Sequence, residues 1–352
     1  MNELLNNMKL DVYNPGIELL GEDDNKISIC RVNSFSAFDY LISCFKKEIF
    51  PFNCSWNRFY RGVSNKEYDL ICSLCVNDLE REESEIINQL YSLAPDEFSS
   101  CKTNFEMVSL MQHYGLPTRL LDFTKNPLVA LWFACQRNAN SPTDSDGAVY
   151  LALSSEYISK KLLDYVFKIA LANKIDRIVD VRNVLTEEEL KDYVMAYSLM
   201  PQGMCFVQAP LIDLRERNQQ AVFLIGTNNL VISNKNEPYD ETPATMFNLA
   251  DMIIALSKGC KNKTVKFDKI KCYIPEVDGS FIVKIIIPKE IKLQILNELS
   301  YRGIDEMFIY PTLDNYCKHI KSQAKEIRQK HIELEKMIMD YAKTRNNSEN
   351  SN

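Results

Sequence analysis

Residues 104–135 read NFEMVSLMQHYGLPTRLLDFTKNPLVALWFAC. Thr103 or Asn104 can cap a helix whose natural stop is Gly115, a residue at ease in the left-handed conformation of a helix end. Residues 118–123 read as a short buried strand, and Asp122 and Thr124 fall where that strand gives way to a helix. Pro127 suits the first turn of this second helix, and residues 128–135 are apolar on almost every face. A helix without a polar face must be covered on all sides, so it is expected at the centre of the fold.

Upstream, Ser34 or Ser36 can cap a helix over FSAFDYLISCFKKEIF that Pro51 closes. Residues 58–63 alternate as a strand does, and Gly62 marks a turn or a close backbone approach. Arg61 stands just before that glycine, where its planar fork could meet a phosphate or carboxylate, or simply lie in solvent. Residues 78–98 read as one acidic amphipathic helix. Residues 1–30 form a mixed lead-in with strand-like pieces.

Downstream, Asp146-Gly147 makes a turn into the strand AVYLAL. Residues 155–200 read as largely helical, with Thr186 as a helix start, and as an excursion from the sheet. QGMCFVQAP is a strand, and Gln219 and Gln220 head another, AVFLI. Residues 227–280 look polar and irregular apart from a helix over 244–256. FIVKIIIP is a strand, residues 289–302 a helix closed by Gly303, and the chain finishes in one long helix to about Thr344 and a disordered tail, RNNSENSN. The pattern predicts an α+β fold around one split sheet.

The 352 residues are 46% apolar and 25% charged, suiting a globular protein with a sizeable core. A net charge of -7 gives no global attraction to nucleic acid. No apolar run approaches the roughly 20 residues of a membrane span, and the first residues lack the pattern of a secretory signal. The 11 cysteines are scattered, with Cys72 and Cys75 the one C-x-x-C, so reduced thiols in a cytoplasmic protein are expected. Phosphate-cradling glycine loops, H-E-x-x-H and the G-x-S-x-G elbow are all missing, and three histidines suit few metal sites.

Polar residues set among apolar strands remain: Arg61, His113 with Tyr114, Arg119, Asp122 with Thr124, and Gln219 with Gln220. Such a set can hold a dinucleotide, the arginines taking phosphate and the aromatics a base. Arg119 and Asp122 could equally be a buried ion pair fixing the strand–helix joint, and His113 a core residue.

FYRG at 59–62, QHYGLPTRLLDFTKNPLVALWFA at 112–134, RNQQAVF at 217–223 and GIDEMFIYPTLDNYCKHI at 303–320 resemble, in that order, the blocks of the FRG domain family. Its name motif, Phe-Arg-Gly, stands here as Tyr60-Arg61-Gly62. The resemblance covers roughly residues 30–320, leaving 1–30 as lead-in and 321–352 as C-terminal helix and tail.

That family has been related to the ADP-ribosyltransferase fold. The resemblance therefore implies a split β-sheet core flanked by helices, with a helical insertion at about 155–200. It also implies NAD as substrate and no metal. Arg61 matches an NAD-orienting residue, and LDFT with its apolar helix is similar to the second motif of that fold. Gln219-Gln220 falls where a Glu-x-Glu-like motif is expected. Arg61, Gln219 and Gln220 are then the catalytic candidates. Arg61, Gly62, His113, Tyr114, Arg119, Asp122 and Thr124 are the candidates for contacting NAD.

Two departures stand out. Glutamine replaces a carboxylate, with Glu216 and Asp122 as possible substitutes, and Ala221 replaces the glycine of a Gln-Gln-Gly pattern. The implied function is an NAD-dependent ADP-ribosyltransferase, an intracellular toxin or phage-defence effector acting on a protein or nucleic acid and paired with a regulator or inhibitor protein. The alternatives are an NAD glycohydrolase, a non-catalytic NAD, nucleotide or nucleic-acid sensor, and an interaction protein working through its C-terminal helix.

Overall fold

A computed structural model describes residues 16–22, 27–45, 57–80, 82–137, 145–154, 160–172, 184–186, 188–190, 192–193, 204–210, 213–226, 228–234, 237–243, 263–270 and 281–349. The strands are β1 (Ile17–Glu22), β2 (Ser28–Val32), β3 (Asn57–Val63), β4 (Leu120–Thr124), β5 (Gly147–Ser154), β6 (Met204–Gln208), β7 (Ala221–Gly226), β8 (Asn228–Asn234), β9 (Glu237–Pro243), β10 (Lys263–Ile270) and β11 (Phe281–Ile287). The helices are α1 (Phe35–Cys44), α2 (Ser73–Val76), α3 (Glu83–Leu93), α4 (Asn104–His113), α5 (Pro127–Ala134), α6 (Lys160–Ala172), α7 (Leu214–Asn218), α8 (Lys292–Tyr301), α9 (Glu306–Ile309) and α10 (Leu313–Glu349).

The apolar helix α5 sits where its composition requires. Asn126 caps it by accepting from Leu128 N–H, and Pro127 opens it. Val129, Ala130, Leu131 and Ala134 are fully buried, packed with Phe38 and Leu41 of α1, Val149 and Leu151 of β5, and Ile295 and Leu299 of α8. Its backbone lies directly on the sheet. A Cβ at Gly62 would stand 1.7 Å from the Ala130 carbonyl oxygen, and one at Gly147 would stand 2.0 Å from that of Ala134. Glycine is required at both places by proximity, not by its backbone freedom.

An eight-stranded mixed sheet runs β1-β2-β11-β5-β3-β4-β7-β6. Its pairs are antiparallel except β11 with β2. β3 is laddered along its length to β5, and β4 to β7, but β3 and β4 share one partnered position, Tyr60 opposite Thr124. The sheet is thus two well-paired parts that touch at a single rung. On the far face Phe59 of β3 stacks on Phe206 of β6 at 4.1 Å, and Phe123 of β4 meets Phe206 edge-on at 5.1 Å. On the near face the second part is covered by α4 and α6, through Phe105, Val108, Met111 and Phe167 against Leu120, Phe223 and Ile225.

Several sequence expectations need revision. The acidic helix occupies only Glu83–Leu93; Pro95 cannot continue it, and a 3-10 turn over Pro95–Phe98 follows. Within residues 155–200, α6 supplies a helix as expected, and it packs on the sheet through Leu163, Val166, Phe167 and Ile169. Thr186 does cap the next turn, accepting from Glu189 N–H. The stretch expected to be irregular contains β8, β9 and β10, which form an antiparallel sheet ordered β10-β8-β9. β9, EPYDETP, has too few apolar residues for a period-2 signal, and β8 sets Leu230, Val231 and Ile232 in a row instead of alternating. The helix expected over 244–256 lies outside the described residues, and the C-terminal helix continues past Thr344 to Glu349, into the stretch expected to be a disordered tail. The lead-in supplies β1 and β2, and β2 runs beside β11 in the main sheet. Among the described residues no helix is long and apolar enough to cross a membrane.

Candidate functional site

Arg61 fills the gap between β3 and β4. Strand alternation turns Tyr60 and Gly62 toward α5, so Arg61 lies on the other side, between Phe59 and Val63. Its Nη1 donates to the backbone carbonyl of Asp122 at 2.7 Å, standing in for the ladder that the two strands do not make. The same nitrogen is 4.0 Å from Asp122 Oδ2. Burial pulls the guanidinium below its usual range, opposed by the negative charge of Asp122 and the neighbouring Tyr150 and Cys72; it nonetheless stays protonated. Its Nε is buried with no hydrogen-bond partner among the described residues.

Asp122 points outward from β4, with its side chain 70% exposed. Gln112, in the last turn of α4, donates from Nε2 to Asp122 Oδ1 at 2.8 Å. The Gln112 amide oxygen accepts in turn from Thr118 Oγ1, and Thr118 N–H donates to Ser73 Oγ at 3.1 Å. The carboxylate is held in direction while it remains open to solvent. His113 Nε2 lies 3.3 Å from Asp213 Oδ2, and the other Asp213 oxygen caps α7 by accepting from Glu216 N–H. This contact ties α4 to α7.

The two glutamines end α7 and enter β7. Gln219 is spent on structure: its carbonyl accepts from Thr124 Oγ1, and its Nε2 donates to the Ile309 carbonyl at 3.1 Å. Asn218 does likewise toward the Phe308 carbonyl at 2.8 Å. Gln220 takes the left-handed backbone conformation, φ 49°, and its carbonyl accepts from Lys125 N–H at 3.2 Å. Positive φ therefore falls at Gln220 and not at Ala221, so a methyl group at 221 meets no backbone strain.

These links carry α9 and Tyr310 to the same place. The Arg215 guanidinium lies 5.0 Å over the Tyr310 ring, which meets Trp132 and Phe133 of α5 edge-on at 5.9 and 6.4 Å. Burial raises the Tyr310 hydroxyl above its usual range; Arg215 pulls it down, while Glu306 and Asp122 push it up. Tyr310 and Asp122 thus share one electrostatic environment. Gln112, Arg215 and Tyr310 were not among the residues singled out from sequence, although Gln112 and Tyr310 stand inside quoted blocks and Arg215 lies two residues before one.

Four more of the sequence-predicted residues have contacts or packing of their own in the fold. Arg119 is 1% exposed and makes a two-pronged pair with Glu83, Nε to Oε1 at 2.6 Å and Nη2 to Oε2. It forms no pair with Asp122, because residues three apart at a strand point to opposite sides. Tyr114 is 69% exposed just past the end of α4, edge-on to His113 at 5.5 Å. Gly62 is a packing glycine against Ala130. Thr124 joins the turn at Gln219 to the start of α5, since its Oγ1 also accepts from Asn126 N–H at 2.9 Å. Glu216 is buried in α7, leaving Asp122 as the exposed one of the two substitute carboxylates. Among the described residues no cluster of histidine, cysteine and carboxylate side chains could hold a metal ion.

Residues 57–143 match the FRG domain. No curated protein and no solved structure matches the chain. The matched span holds Arg61, Gln112, His113, Asp122 and Thr124, and the fold brings Arg215, Gln219 and Tyr310 to it from outside.

Proposed function

We propose that the protein binds NAD where the two parts of the sheet meet, and transfers its ADP-ribosyl group to a macromolecule. The observation that carries this reading is the Asp122 carboxylate, 70% exposed, held in direction by Gln112 and 4.0 Å from Arg61 Nη1. Transfer breaks the bond between ribose C1′ and the nicotinamide nitrogen, and positive charge builds on the ribose. An acceptor oxygen or nitrogen then bonds to C1′ and gives up its proton, and nicotinamide leaves. A carboxylate fixed beside that centre stabilises the developing charge. Glutamine at 219 and 220 supplies none, and Asp122 does.

The remaining parts suit the rest of NAD. Arg215 and Arg61 are cations for the pyrophosphate, and Tyr310 offers aromatic surface to a base. A protein acceptor fits the acidic chain better than a nucleic acid. This reading places the protein in the cytoplasm, where Cys30, Cys44, Cys101, Cys135 and Cys317 would remain thiols. An intracellular effector of this kind, a toxin or a defence protein, would need a cognate regulator or inhibitor.

The test is free nicotinamide released from NAD in the presence of lysate. Asp122→Asn preserves shape and should cut release about 100-fold, while NAD still raises the melting temperature. Unchanged release in this variant would remove Asp122 from the mechanism. Water as acceptor, an NAD glycohydrolase, would show as free ADP-ribose without lysate.

A second reading rests on Gln219. Its amide is committed to the Ile309 carbonyl, which suits a module that binds NAD or a nucleotide without chemistry and transmits the event through α9. A melting-temperature rise with NAD, and no nicotinamide from the unaltered protein, would select that sensor.

A further inference from the structure

α10 runs for 37 residues, Leu313–Glu349, or about 55 Å at 1.5 Å per residue. Every side chain described from residue 320 to 339 is exposed. A water-exposed helix of this length gains little from propensity alone, since most helical stability in proteins comes from packing an apolar face. Here that face is present and uncovered: Ile320 is 62% exposed, Ile327 55%, Leu334 54% and Ile338 59%.

The spacing of that face identifies its partner. Residues 317, 320, 324, 327, 331, 334 and 338 alternate steps of three and four, the 3.5-residue period of a left-handed coiled coil. Cys317, Ala324, His331 and Ile338 take the first seam position of each heptad, and Ile320, Ile327 and Leu334 the second. The competing frame, with second positions at 316, 323, 330 and 337, would put Gln323 and Lys330 in the seam. The outer face carries a polar link, Gln329 to Glu333 at 2.9 Å, along with Ile332 and Met339.

We infer that α10 is a parallel two-stranded coiled coil with α10 of a second copy of this chain, paired along the seam from Cys317 to Ile338. Charge supports the parallel arrangement. In a parallel pair the residue flanking one seam faces the residue five further on in its mate. Lys330 then faces the partner's Glu335, twice by symmetry, and Gln323 faces the partner's Arg328; no like charges oppose each other. His331 puts a polar group into the seam, the kind of position that fixes register and favours two strands at some cost in stability. This inference is independent of the NAD reading.

Light scattering on the full chain tests it. The expected mass is twice 40.7 kDa. Ile327→Glu with Leu334→Glu should halve it and leave the melting of the sheet domain unchanged. Ile332→Glu with Met339→Glu, on the outer face, should not. Lys330→Glu should weaken association, and adding Glu335→Lys should restore it. Mild oxidation should link two chains through Cys317, and Cys317→Ser should abolish the link; in an antiparallel pair the two thiols would lie at opposite ends of the seam. A monomer at tens of micromolar, or a dimer that survives the seam variant, would overturn the proposal. A dimer without the Cys317 link, or without the charge rescue, would overturn the parallel arrangement.

Discussion

Arg61 Nη1 donates to the backbone carbonyl of Asp122 at 2.7 Å, and this bond spans two strands that share a single paired position. The arginine closes the sheet and holds a cation at the candidate site. Its removal therefore has two consequences that must be read separately. Arg61→Lys keeps the charge but loses the planar fork, and should cost about 1–3 kcal/mol by leaving the carbonyl poorly paired. Urea unfolding gives that figure. Nicotinamide release in the same variant, measured well below its unfolding midpoint, reports the chemical part. A variant as stable as the parent would show that the sheet does not depend on this bond.

Gly62→Ala should be strongly destabilising. Its new methyl carbon would stand 1.7 Å from the Ala130 carbonyl oxygen, so α5 would have to move off the sheet. Overpacking of this kind costs roughly 1–3 kcal/mol and more where backbone must shift. Gly115→Ala is the comparison: it has open space but a φ of +95°, so it should cost only about 1–2 kcal/mol of left-handed strain. Equal losses in urea titrations would mean that α5 adjusts more easily than its packing suggests.

These two glycines show what was legible in the sequence. The helix ending at Gly115 and the apolar α5 carry local signals: a cap, a stop, and an uninterrupted apolar surface. Arg61 and Asp122 were also visible, as polar residues where a strand pattern calls for apolar ones. Their mutual contact was not, because a hydrogen bond 61 positions apart in sequence leaves no local trace. The Arg119–Glu83 pair was hidden for the same reason, and proximity in sequence wrongly suggested Asp122 as partner. Tyr310 is brought near the site with help from Asn218 and Gln219, which bind the carbonyls of α9, and no spacing rule anticipates those bonds. β8 and β9 do not alternate apolar with polar residues, and β10 does so only briefly, at Val265 and Phe267, so the three strands gave no sustained period-2 signal.

Asp146 should make stability depend on pH. It joins three parts of the chain: Oδ1 accepts from Lys289 N–H at 3.0 Å, Oδ2 meets Lys66 Nζ at 3.2 Å, and its carbonyl accepts from Lys66 N–H at 2.8 Å. Burial alone would raise this carboxyl. The bonds from Lys289 and Lys66, with the charges of Lys66 and Arg31, hold it below the usual range. A depressed folded value means stability that is present above the unfolded value, about 3.9, and lost as pH falls through the folded one. Asp146→Asn should therefore be less stable than the parent at pH 7, with the gap narrowing below about pH 4. Melting curves from pH 7 to pH 3 measure it; a gap that stays constant would assign the loss to hydrogen bonding alone.

Gln219→Glu restores a carboxylate at the position where related enzymes of the proposed class are expected to carry one, and it should still not raise activity. The Gln219 amide donates to the Ile309 carbonyl, whereas an ionised glutamate can only accept. Two acceptors would then face each other in a half-buried joint, at a cost of about 1–3 kcal/mol. α9 would loosen and take Tyr310 with it. The expected result is a lower melting temperature and weaker NAD-dependent stabilisation, with nicotinamide release no faster than in the parent. Asn218, which makes the neighbouring bond to Phe308, supplies the control: Asn218→Asp should loosen the same joint without bringing a charge to position 219. If Gln219→Glu instead accelerates release while Asn218→Asp slows it, position 219 is the catalytic carboxylate site after all, and Asp122 is relieved of that role.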